Sequence, residues 1–389
     1  MRKDERISPH AFKSEAPRRV YLDDPRVLRP EDSRRMLSTG VDVTEEGRIG
    51  TYIQMDHSVV HCHVKQDGLD VMSTTEAAER YPWLVEYRWR LVQADRDEYN
   101  AYARDYARHG YFIRALPGMK VTCPLQACLY IAADGITQAV HNIVVVEEGA
   151  ELNLVSGCAS AHDVRTGMHI GISEFYVKRG AKLTFTMIHN WGEKMQVRPR
   201  SAALVEAGGV FLSNYVCLQA VDTLQMYPMA YLDGPGATAR FHSILAAPPG
   251  SLMDVGAGVV LRAPDTRAES IARAITTGGD VISRGRLVGE VAGVKAHLEC
   301  RGLILAERGL IHAIPELEAR VAGAEMSHEA AVGKIAPEEI EYLTARGLNE
   351  EEATATIVRG FLNVRIEGLP RELQDEIDRA IAAGRESIV

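Results

Sequence analysis

A histidine and a glutamate stand side by side at His328 and Glu329, within the segment AEMSHEAAVGKI. Imidazole and carboxylate groups both ligate metal ions, so an adjacent pair raises the question of which other groups share their site. The segment lies where a long β-rich pattern stops and a helical pattern begins. We therefore expect the pair to lie at the end of one structural unit, facing a site that other residues complete.

Cysteines are the second set of residues that could carry chemistry. There are six of them, and no two form a CxxC pair: Cys62, Cys123, Cys128, Cys158, Cys217 and Cys300. This scattered spacing argues against a structural zinc knuckle, and in a reducing compartment it argues against a disulfide framework. The alternative for each cysteine is a small buried apolar residue without a chemical role.

The segment HSVVHCHVKQ brings His61, Cys62 and His63 together and resembles a metal cluster at first sight. The surrounding YIQMDHSVVHCHV alternates like a strand, so His61 and His63 face one way and Cys62 the other. We therefore expect a half-exposed strand here rather than a metal site.

The centre of the chain repeats, and this repeat must position the chemistry. Seven segments each run from an apolar strand through a tight turn into an alternating strand, with spacings of 28 to 31 residues between turns. The turn positions are Gly149, Gly180, Gly208, Gly236, Asp265, Gly293 and Gly323. A period of this length signals a solenoid or a propeller, and a short coil fits a parallel β-helix better than a propeller blade of roughly 40 residues.

Counting from the turns predicts which side chains stack on successive coils. Nine residues after the first four turns lie Cys158, His189, Cys217 and Leu245, and seven residues after the sixth turn lies Cys300. Offsets seven and nine share the parity of apolar positions, so these side chains should face the interior. Two readings stay open: a row of reactive groups inside a tube, or cysteine and histidine that merely fill a narrow core.

The flanks differ from the repeat, and we expect three regions. Residues 1–110 form a mixed, partly helical region with helices in STTEAAERYPWLVEYRWRL and in DRDEYNAYARDYARHG, the second closed by Gly110. Residues 111–330 form the β-helix core, and residues 331–389 form a helical domain.

The helical domain carries recognisable start signals. Pro337 stands at a first helical position, and Asn349 with Glu352 forms a capping box. A third helix is expected in PRELQDEIDRAIAA. Residues 336–389 hold 12 acidic and 6 basic residues, so this acidic cap either shields the end of the solenoid or docks a partner.

Composition narrows the function classes. The chain has 389 residues and a formal net charge of −9, which argues against a nucleic-acid binder. No charge-free apolar run approaches the ~20 residues of a membrane span, and the N-terminus lacks the apolar stretch of a secretory signal, so we expect a cytoplasmic protein. Phosphate-loop, dinucleotide and nucleophile-elbow motifs are missing, so we expect no nucleotide on this chain.

Several segments resemble the SufB/SufD family of iron–sulfur cluster assembly scaffolds, over roughly residues 80–365. GYFIRALPGMKVTCPLQA is similar to the family's entry into its β-helix, and VVVEEGAELNLVSGCASA and EFYVKRGAKLTFTMIHNW to the segments that follow. The residues from LECRGLIL through MSHEAAVGKI to EEATATIVRGF are similar to its C-terminal signature.

The resemblance implies a mainly β fold, a right-handed parallel β-helix with an N-terminal α/β flank and a C-terminal helical domain. It implies that the helical domain binds a SufC-like ABC-type ATPase, and that two β-helix subunits hold a nascent cluster at their interface. The short chain suits a minimal two-component system in which the protein pairs with itself, although a heterodimer with a paralogue stays open. Other implied partners are a sulfur donor and apo-acceptor proteins, and the chain itself is expected to be no enzyme.

The resemblance also implies roles for particular residues. Sulfur enters at Cys158 and travels inside the β-helix to Cys300, and the family's His-Glu pair matches His328 and Glu329. Clusters are held chiefly by thiolates, and a twofold dimer doubles every ligand. Two Cys300 with two Glu329 or two His328 would hold a transient cluster of the [4Fe-4S] type, less firmly than four thiolates would.

Three departures from the SufB-type pattern put the sulfur route in question. SufB-type chains carry an Arg and an Asn where this chain has Tyr130 and Ala132, and they carry a Gln where it has His189. SufD-type members lack the scaffold cysteine, so Cys300 favours the SufB-like role. Two alternatives stay open: a SufD-like structural partner that holds no cluster, and a carbohydrate-active β-helix enzyme, which would need a carboxylate cluster that the sequence does not display.

Overall fold

The computed structural model describes residues 7–121 and 123–362, and the fold is mainly β, with 47% strand and 16% helix. The described strands are β1 Gly50–Met55, β2 Ser58–Val64, β3 Leu69–Ser73, β4 Tyr111–Ala115, β5 Leu125–Ile131, β6 Thr137–Val146, β7 Glu151–Ser160, β8 Gly167–Val177, β9 Lys182–Asn190, β10 Met195–Val197, β11 Arg200–Val205, β12 Val210–Cys217, β13 Thr223–Met226, β14 Met229–Leu232, β15 Thr238–Ala247, β16 Leu252–Leu261, β17 Arg267–Thr276, β18 Asp280–Gly289, β19 Lys295–Ile304, β20 Leu310–Ala319 and β21 Glu325–Gly333. The described α-helices are α1 Pro30–Leu37, α2 Thr74–Arg80, α3 Glu98–Tyr106, α4 Pro337–Thr344 and α5 Glu350–Leu362.

The strands wind into a β-solenoid of about eight turns, which confirms the predicted parallel β-helix. Each coil adds one rung to each of two sheets. In the first sheet the order is β2-β1-β5-β7-β9-β12-β15-β17-β19-β21, and all neighbours from β1 onwards are parallel. The second sheet stacks β4, β6, β8, β11, β14, β16, β18 and β20 in parallel.

The predicted turn positions all have left-handed backbone conformations, which confirms the repeat. Their φ angles run from 60° at Asp265 to 87° at Gly323. Glycine adopts this region at no steric cost, which explains its recurrence where the chain passes from the second sheet to the first. Asp265 shows that one coil tolerates a side chain at this turn.

Apolar side chains fill the interior of the coil. Phe175, Phe185, Phe211 and Phe241 stack along the axis, with ring centroids 4.7 to 5.8 Å apart. Phe175 and Phe185 flank the turn of one coil, and Phe211 and Phe241 come from the next two coils, so the aromatic contacts tie three coils together.

The N-terminal flank differs from the expectation in two places. The segment read as one alternating strand is a hairpin of β1 and β2, turned at Asp56, which has a φ of 53°. The long helix expected over STTEAAERYPWLVEYRWRL is only α2, followed by a 3-10 turn over Pro82–Glu86, because proline disfavours helical backbone in the residue before it. The next helix, α3, ends at Tyr106, before Gly110.

The C-terminal helices begin as predicted. Pro337 is the first residue of α4, and the capping box exchanges two hydrogen bonds: Asn349 N donates to Glu352 Oε2 (2.9 Å) and Glu352 N to Asn349 Oδ1 (2.8 Å). The third predicted helix lies outside the described residues. No helix in residues 7–121 and 123–362 is long and apolar enough to cross a bilayer.

The second C-terminal helix, α5, packs against the outer face of the first sheet. Its Val358 and Leu362 are buried in one apolar cluster with outward-facing side chains of successive rungs, which include Ile188, Val216 and Ile244. The helix therefore covers the sheet that carries the candidate thiols, from the outside.

Candidate functional site

The predicted ladder of Cys158, His189 and Cys217 is present. Cys158 lies beside His189 on neighbouring rungs, and His189 lies beside Cys217. Their exposed fractions are 1%, 3% and 1%. The placement is confirmed, and the side chains line the interior of the β-helix near its middle.

Burial makes these groups neutral. It raises the pKa of the Cys158 thiol to about 12 and that of Cys217 to about 12, because an apolar interior disfavours a thiolate. Burial also holds the pKa of His189 well below its usual value, and the nearby His169 lowers it further. In the resting fold these are two thiols and a neutral imidazole.

The imidazole of His189 has one satisfied and one free nitrogen. Its Nδ1 is hydrogen-bonded to the Tyr215 hydroxyl (2.9 Å). Its Nε2 is buried and has no hydrogen-bond partner among the described residues. A buried polar atom without a partner is costly, and here it belongs to a residue whose neighbours on the adjoining rungs are Cys158 and Cys217.

The second thiol, Cys300, lies near the C-terminal end of the described solenoid. It stands on β19 between Ala272 of β17 and Ala330 of β21. Its exposed fraction is 3%, and the Ser283 hydroxyl donates a hydrogen bond to its sulfur (3.7 Å). Burial raises its pKa above the ordinary value, the Ser283 hydrogen bond opposes that shift, and the charge of Glu299 adds to it.

The pair His328 and Glu329 lies on β21, the last described rung of the first sheet, and both side chains are exposed. Successive residues of a strand point to opposite faces. His328 pairs with the buried Leu298, so it lies on the face that also carries Cys300. Glu329 lies on the opposite, outer face, where it forms an ion pair with Arg301 (3.1 Å).

An ionic chain joins Glu329 to the C-terminal helix. Glu299 Oε1 lies 2.9 Å from Arg301 Nε and 3.2 Å from Arg273 Nη2. Arg273 in turn donates from Nη1 to the main-chain carbonyl of Phe361 in α5 (3.3 Å). Sequence reasoning missed this chain, although the offsets of Glu299, Arg301 and Glu329 place all three on the outer face.

The structure does not bring Cys158 and Cys300 together. Their strands, β7 and β19, are five rung spacings apart, which corresponds to about 24 Å along the axis. A pocket in the interior lies between them, and its walls include Phe185, Tyr215 and Ala272. Tyr215 contacts His189, and Ala272 flanks Cys300, so the pocket lies on the line from one thiol to the other.

The two other departures from the family pattern have structural roles. Tyr130 is buried on the outer side of β5, where its hydroxyl donates to Asp32 Oδ1 of α1 (2.6 Å). Ala132 follows the end of that strand, and its N–H donates to Asp56 Oδ1 (2.7 Å). Neither residue offers a group for sulfur chemistry.

A separate cluster lies in the N-terminal flank. The ligand atoms of Glu45, His61 and His63 all lie within 4.8 Å of one another. The sequence indicated that the two histidines share a face. It gave no sign of Glu45, because the glutamate reaches them from a loop 16 residues earlier in the chain.

Comparisons with known proteins agree with the fold and the motifs. Residues 129–361 match the family described as "SUF system FeS cluster assembly, SufBD core domain". A protein of Archaeoglobus fulgidus, named an iron-sulfur cluster assembly SufBD family protein, is 49% identical over 90% of this chain and 94% of its own length.

Two further relatives carry the same family name. One from Methanothermobacter thermautotrophicus strain Winter is 44% identical over 89% of this chain and 86% of its own length. Another, from Pyrococcus horikoshii, is 31% identical over 92% of this chain and 81% of its own length. The similarity therefore extends beyond the solenoid into the flanks.

Proposed function

Because the chain belongs to the SufBD family of iron–sulfur cluster assembly proteins, we propose that it is a scaffold on which a nascent cluster is built and from which it is transferred. The cluster is its cargo, and the chain itself is no enzyme. The observation that carries this proposal is Cys300, a thiol on the penultimate described rung of the first sheet, beside the exposed strand that bears His328 and Glu329.

The cluster is held between two subunits. One thiolate per chain is too few for a four-ligand site, and a twofold axis supplies the second set. His328 is the better second ligand, since it lies on the same face as Cys300, whereas Glu329 is engaged by Arg301 on the outer face. Two thiolates with two imidazoles would bind a [4Fe-4S] cluster less firmly than four thiolates, which suits transfer.

Sulfur is accepted at Cys158 and moves through the interior pocket toward Cys300. A thiolate at Cys158 attacks the outer sulfur of a donor's persulfide, a new S–S bond forms, and the donor leaves as a thiolate, so no net oxidation occurs. The ladder of Cys158, His189 and Cys217 supports this route, because it places two thiols on alternate rungs of the interior and, between their strands, a ring whose Nε2 has no hydrogen-bond partner in the described part of the chain.

The C-terminal helical region docks an ABC-type ATPase, and the protein works in the cytoplasm. The exposed acidic first turn of α5, with Glu350, Glu351 and Glu352, supports a polar docking surface. ATP binding in that partner would act on the cluster site through the helix that covers the first sheet.

A second candidate has one observation in its favour. Cys300 is buried, and burial raises the pKa of its thiol, which would suit a structural partner, SufD-like in role, that holds no cluster itself. The two candidates differ in whether the purified protein takes up iron and sulfide through this thiol.

Anaerobic reconstitution with iron and sulfide separates them. Wild type should take up about one cluster per dimer, seen by absorption and Mössbauer spectroscopy, and Cys300→Ala should take up none. Cys128→Ala is the matched control, because Cys128 is buried on the same sheet at a position of outward parity. Equal uptake by wild type and Cys300→Ala, or none by either, would favour the structural partner.

A further inference from the structure

We infer that Glu45, His61 and His63 form a binding site for a divalent first-row transition-metal ion, such as Zn²⁺ or Fe²⁺, in the N-terminal flank. This site is separate from the proposed cluster site and does not depend on it. It also revises the expectation that the two histidines belong to an ordinary strand.

The ligand atoms have suitable spacing. His61 Nε2 lies 3.2 Å from Glu45 Oε1, and His63 Nδ1 lies 3.3 Å from Glu45 Oε2. Donors bound to one ion at about 2.1 Å are roughly 3.0–3.5 Å apart in tetrahedral or octahedral geometry. Each histidine therefore already lies at ligand spacing from the carboxylate, and one ligand atom of each of the three residues lies within 4.8 Å of the others.

The hydrogen bond behind His61 fixes its tautomer. Its Nδ1 lies 2.9 Å from the main-chain carbonyl oxygen of Leu22, which can only accept, so Nδ1 carries a proton. A carbonyl behind a histidine is the usual outer partner of a metal-bound imidazole. In the neutral ring, Nε2 then directs a lone pair at the Glu45 carboxylate.

Two lone pairs facing each other at 3.2 Å repel unless a cation lies between them. That cation is either a second proton on His61 or a metal ion. A metal ion resolves the contact for both histidines at once, since His63 meets the other oxygen of the same carboxylate.

The backbone of Glu45 is held in a conformation that needs support. Its φ is 58°, in the left-handed region that costs a non-glycine residue about 1–2 kcal/mol. The Lys65 ammonium donates to the Glu45 main-chain carbonyl (2.8 Å) and lies 3.7 Å from Oε2. Strain of this kind concentrates at binding sites, where the surrounding structure maintains it.

The site is open on one side. The His63 side chain is 50% exposed, whereas that of Glu45 is 12% exposed. Two imidazoles and one carboxylate occupy three positions, and water can complete the coordination. This donor set is typical of Fe²⁺ and Zn²⁺ sites with open positions.

Metal titration of the full-length protein tests the inference. Protein stripped of metal is titrated with Co²⁺, whose visible bands report nitrogen and oxygen ligands and whose intense near-ultraviolet band reports thiolates. Wild type should bind one Co²⁺ per chain without the thiolate band, and Zn²⁺ should displace it. Zn²⁺ should also raise the thermal unfolding midpoint.

Two variants carry the test. Glu45→Gln and His63→Ala should each weaken Co²⁺ binding by at least about 100-fold, because even changes behind a ligand cost 10–100-fold. Neither replaces the buried His61, so both should fold. Cys62→Ser on the same strand, and Cys300→Ala at the proposed cluster site, should bind Co²⁺ as wild type does.

The inference is overturned if wild type binds no Co²⁺ without the thiolate band, or if Glu45→Gln and His63→Ala bind it as tightly as wild type. The contacts are then an ion pair with protonated histidine. Since Cys300→Ala separates the two sites, failure here leaves the cluster proposal standing, and the reverse also holds.

Discussion

The interior position that aligns the thiols on neighbouring rungs also protects them from ionisation and reaction. A thiolate is the reactive form for alkylation, sulfur transfer and metal binding. With a pKa of about 12, only on the order of one Cys158 thiol in 10⁴ is ionised at pH 8. Sulfur acceptance at Cys158 therefore requires an opening of the fold, for example by a partner, that lets the thiol ionise.

Alkylation measures this protection directly. In the folded protein at pH 8, iodoacetamide should modify the half-buried Cys123 first and leave Cys158 and Cys217 unmodified, because both of the latter are 1% exposed. Modification of Cys158 should rise as the pH approaches 12, since the thiolate fraction rises with it. Mass spectrometry of quenched digests gives the order, with urea-unfolded protein as the control. Equal rates at Cys158 and Cys123 under native conditions would contradict the neutral, enclosed thiol.

At the scale of elements, the left-handed turn is the unit that repeats. Gly236 has a φ of 72° and no atom within 4 Å of the place where a Cβ would stand. A substitution there changes the backbone energy without a steric clash.

The cost of a side chain at this turn can be measured with two variants of one residue. Gly236→Ala should destabilise the protein by about 1–2 kcal/mol, while Gly236→Asn should cost less, because asparagine visits the left-handed region more readily. The readout is the shift in the urea midpoint, with circular dichroism to check that the strands remain. If Gly236→Ala lowers the urea midpoint no more than Gly236→Asn does, the left-handed backbone conformation does not determine which residues this turn tolerates.

The repeated turn also explains how much of the fold the sequence predicts. Every coil has the same turn, the same alternation of inward and outward residues and nearly the same length, so each coil checks the strand register independently. That register also placed Cys158, His189 and Cys217 on one ladder. The roles assigned to these residues stay predictions.

The features that the sequence did not predict depend mostly on contacts between residues far apart in the chain. Nothing in the spacing of Glu45 and His61 indicates that a loop in a left-handed conformation brings the carboxylate onto a hairpin. The end of α2 before Pro82 did have a local signal in the proline, but the apolar pattern of the segment favoured a longer helix in the prediction. The ionic chain from Glu329 needed the register of two coils and the position of α5, which no single segment contains.

At the scale of the whole molecule, both faces of the first sheet carry residues of the proposed site. The inner face carries the thiols and His328, and the outer face carries Glu329, Arg301 and the packed helix α5. The helix α5 thus packs on the same sheet that contains β21. A partner that moves the helix would disturb the outer face first, and the inner face through the rungs.

Arg273 joins the helix α5 to the charged residues on the outer face of the first sheet. Its guanidinium is bonded to Glu299 and to the carbonyl of Phe361, and it lies 5.6 Å from the Phe361 ring centroid. Arg273→Met keeps the apolar stem but removes these bonds, so α5 and the chain from Glu299 to Glu329 become independent.

If the proposed ATPase partner acts through α5, we expect Arg273→Met to reconstitute a cluster as wild type does, while transfer to an apo-ferredoxin no longer responds to ATP in the presence of that partner. The control is Arg267→Met, which removes an exposed arginine from the same strand and should retain nucleotide dependence. Circular dichroism and partner pull-down check that the variant still folds and docks. If Arg273→Met transfers its cluster with the nucleotide response of wild type, the signal does not pass through the outer face, and movement of the whole subunit against its dimer partner becomes the better explanation.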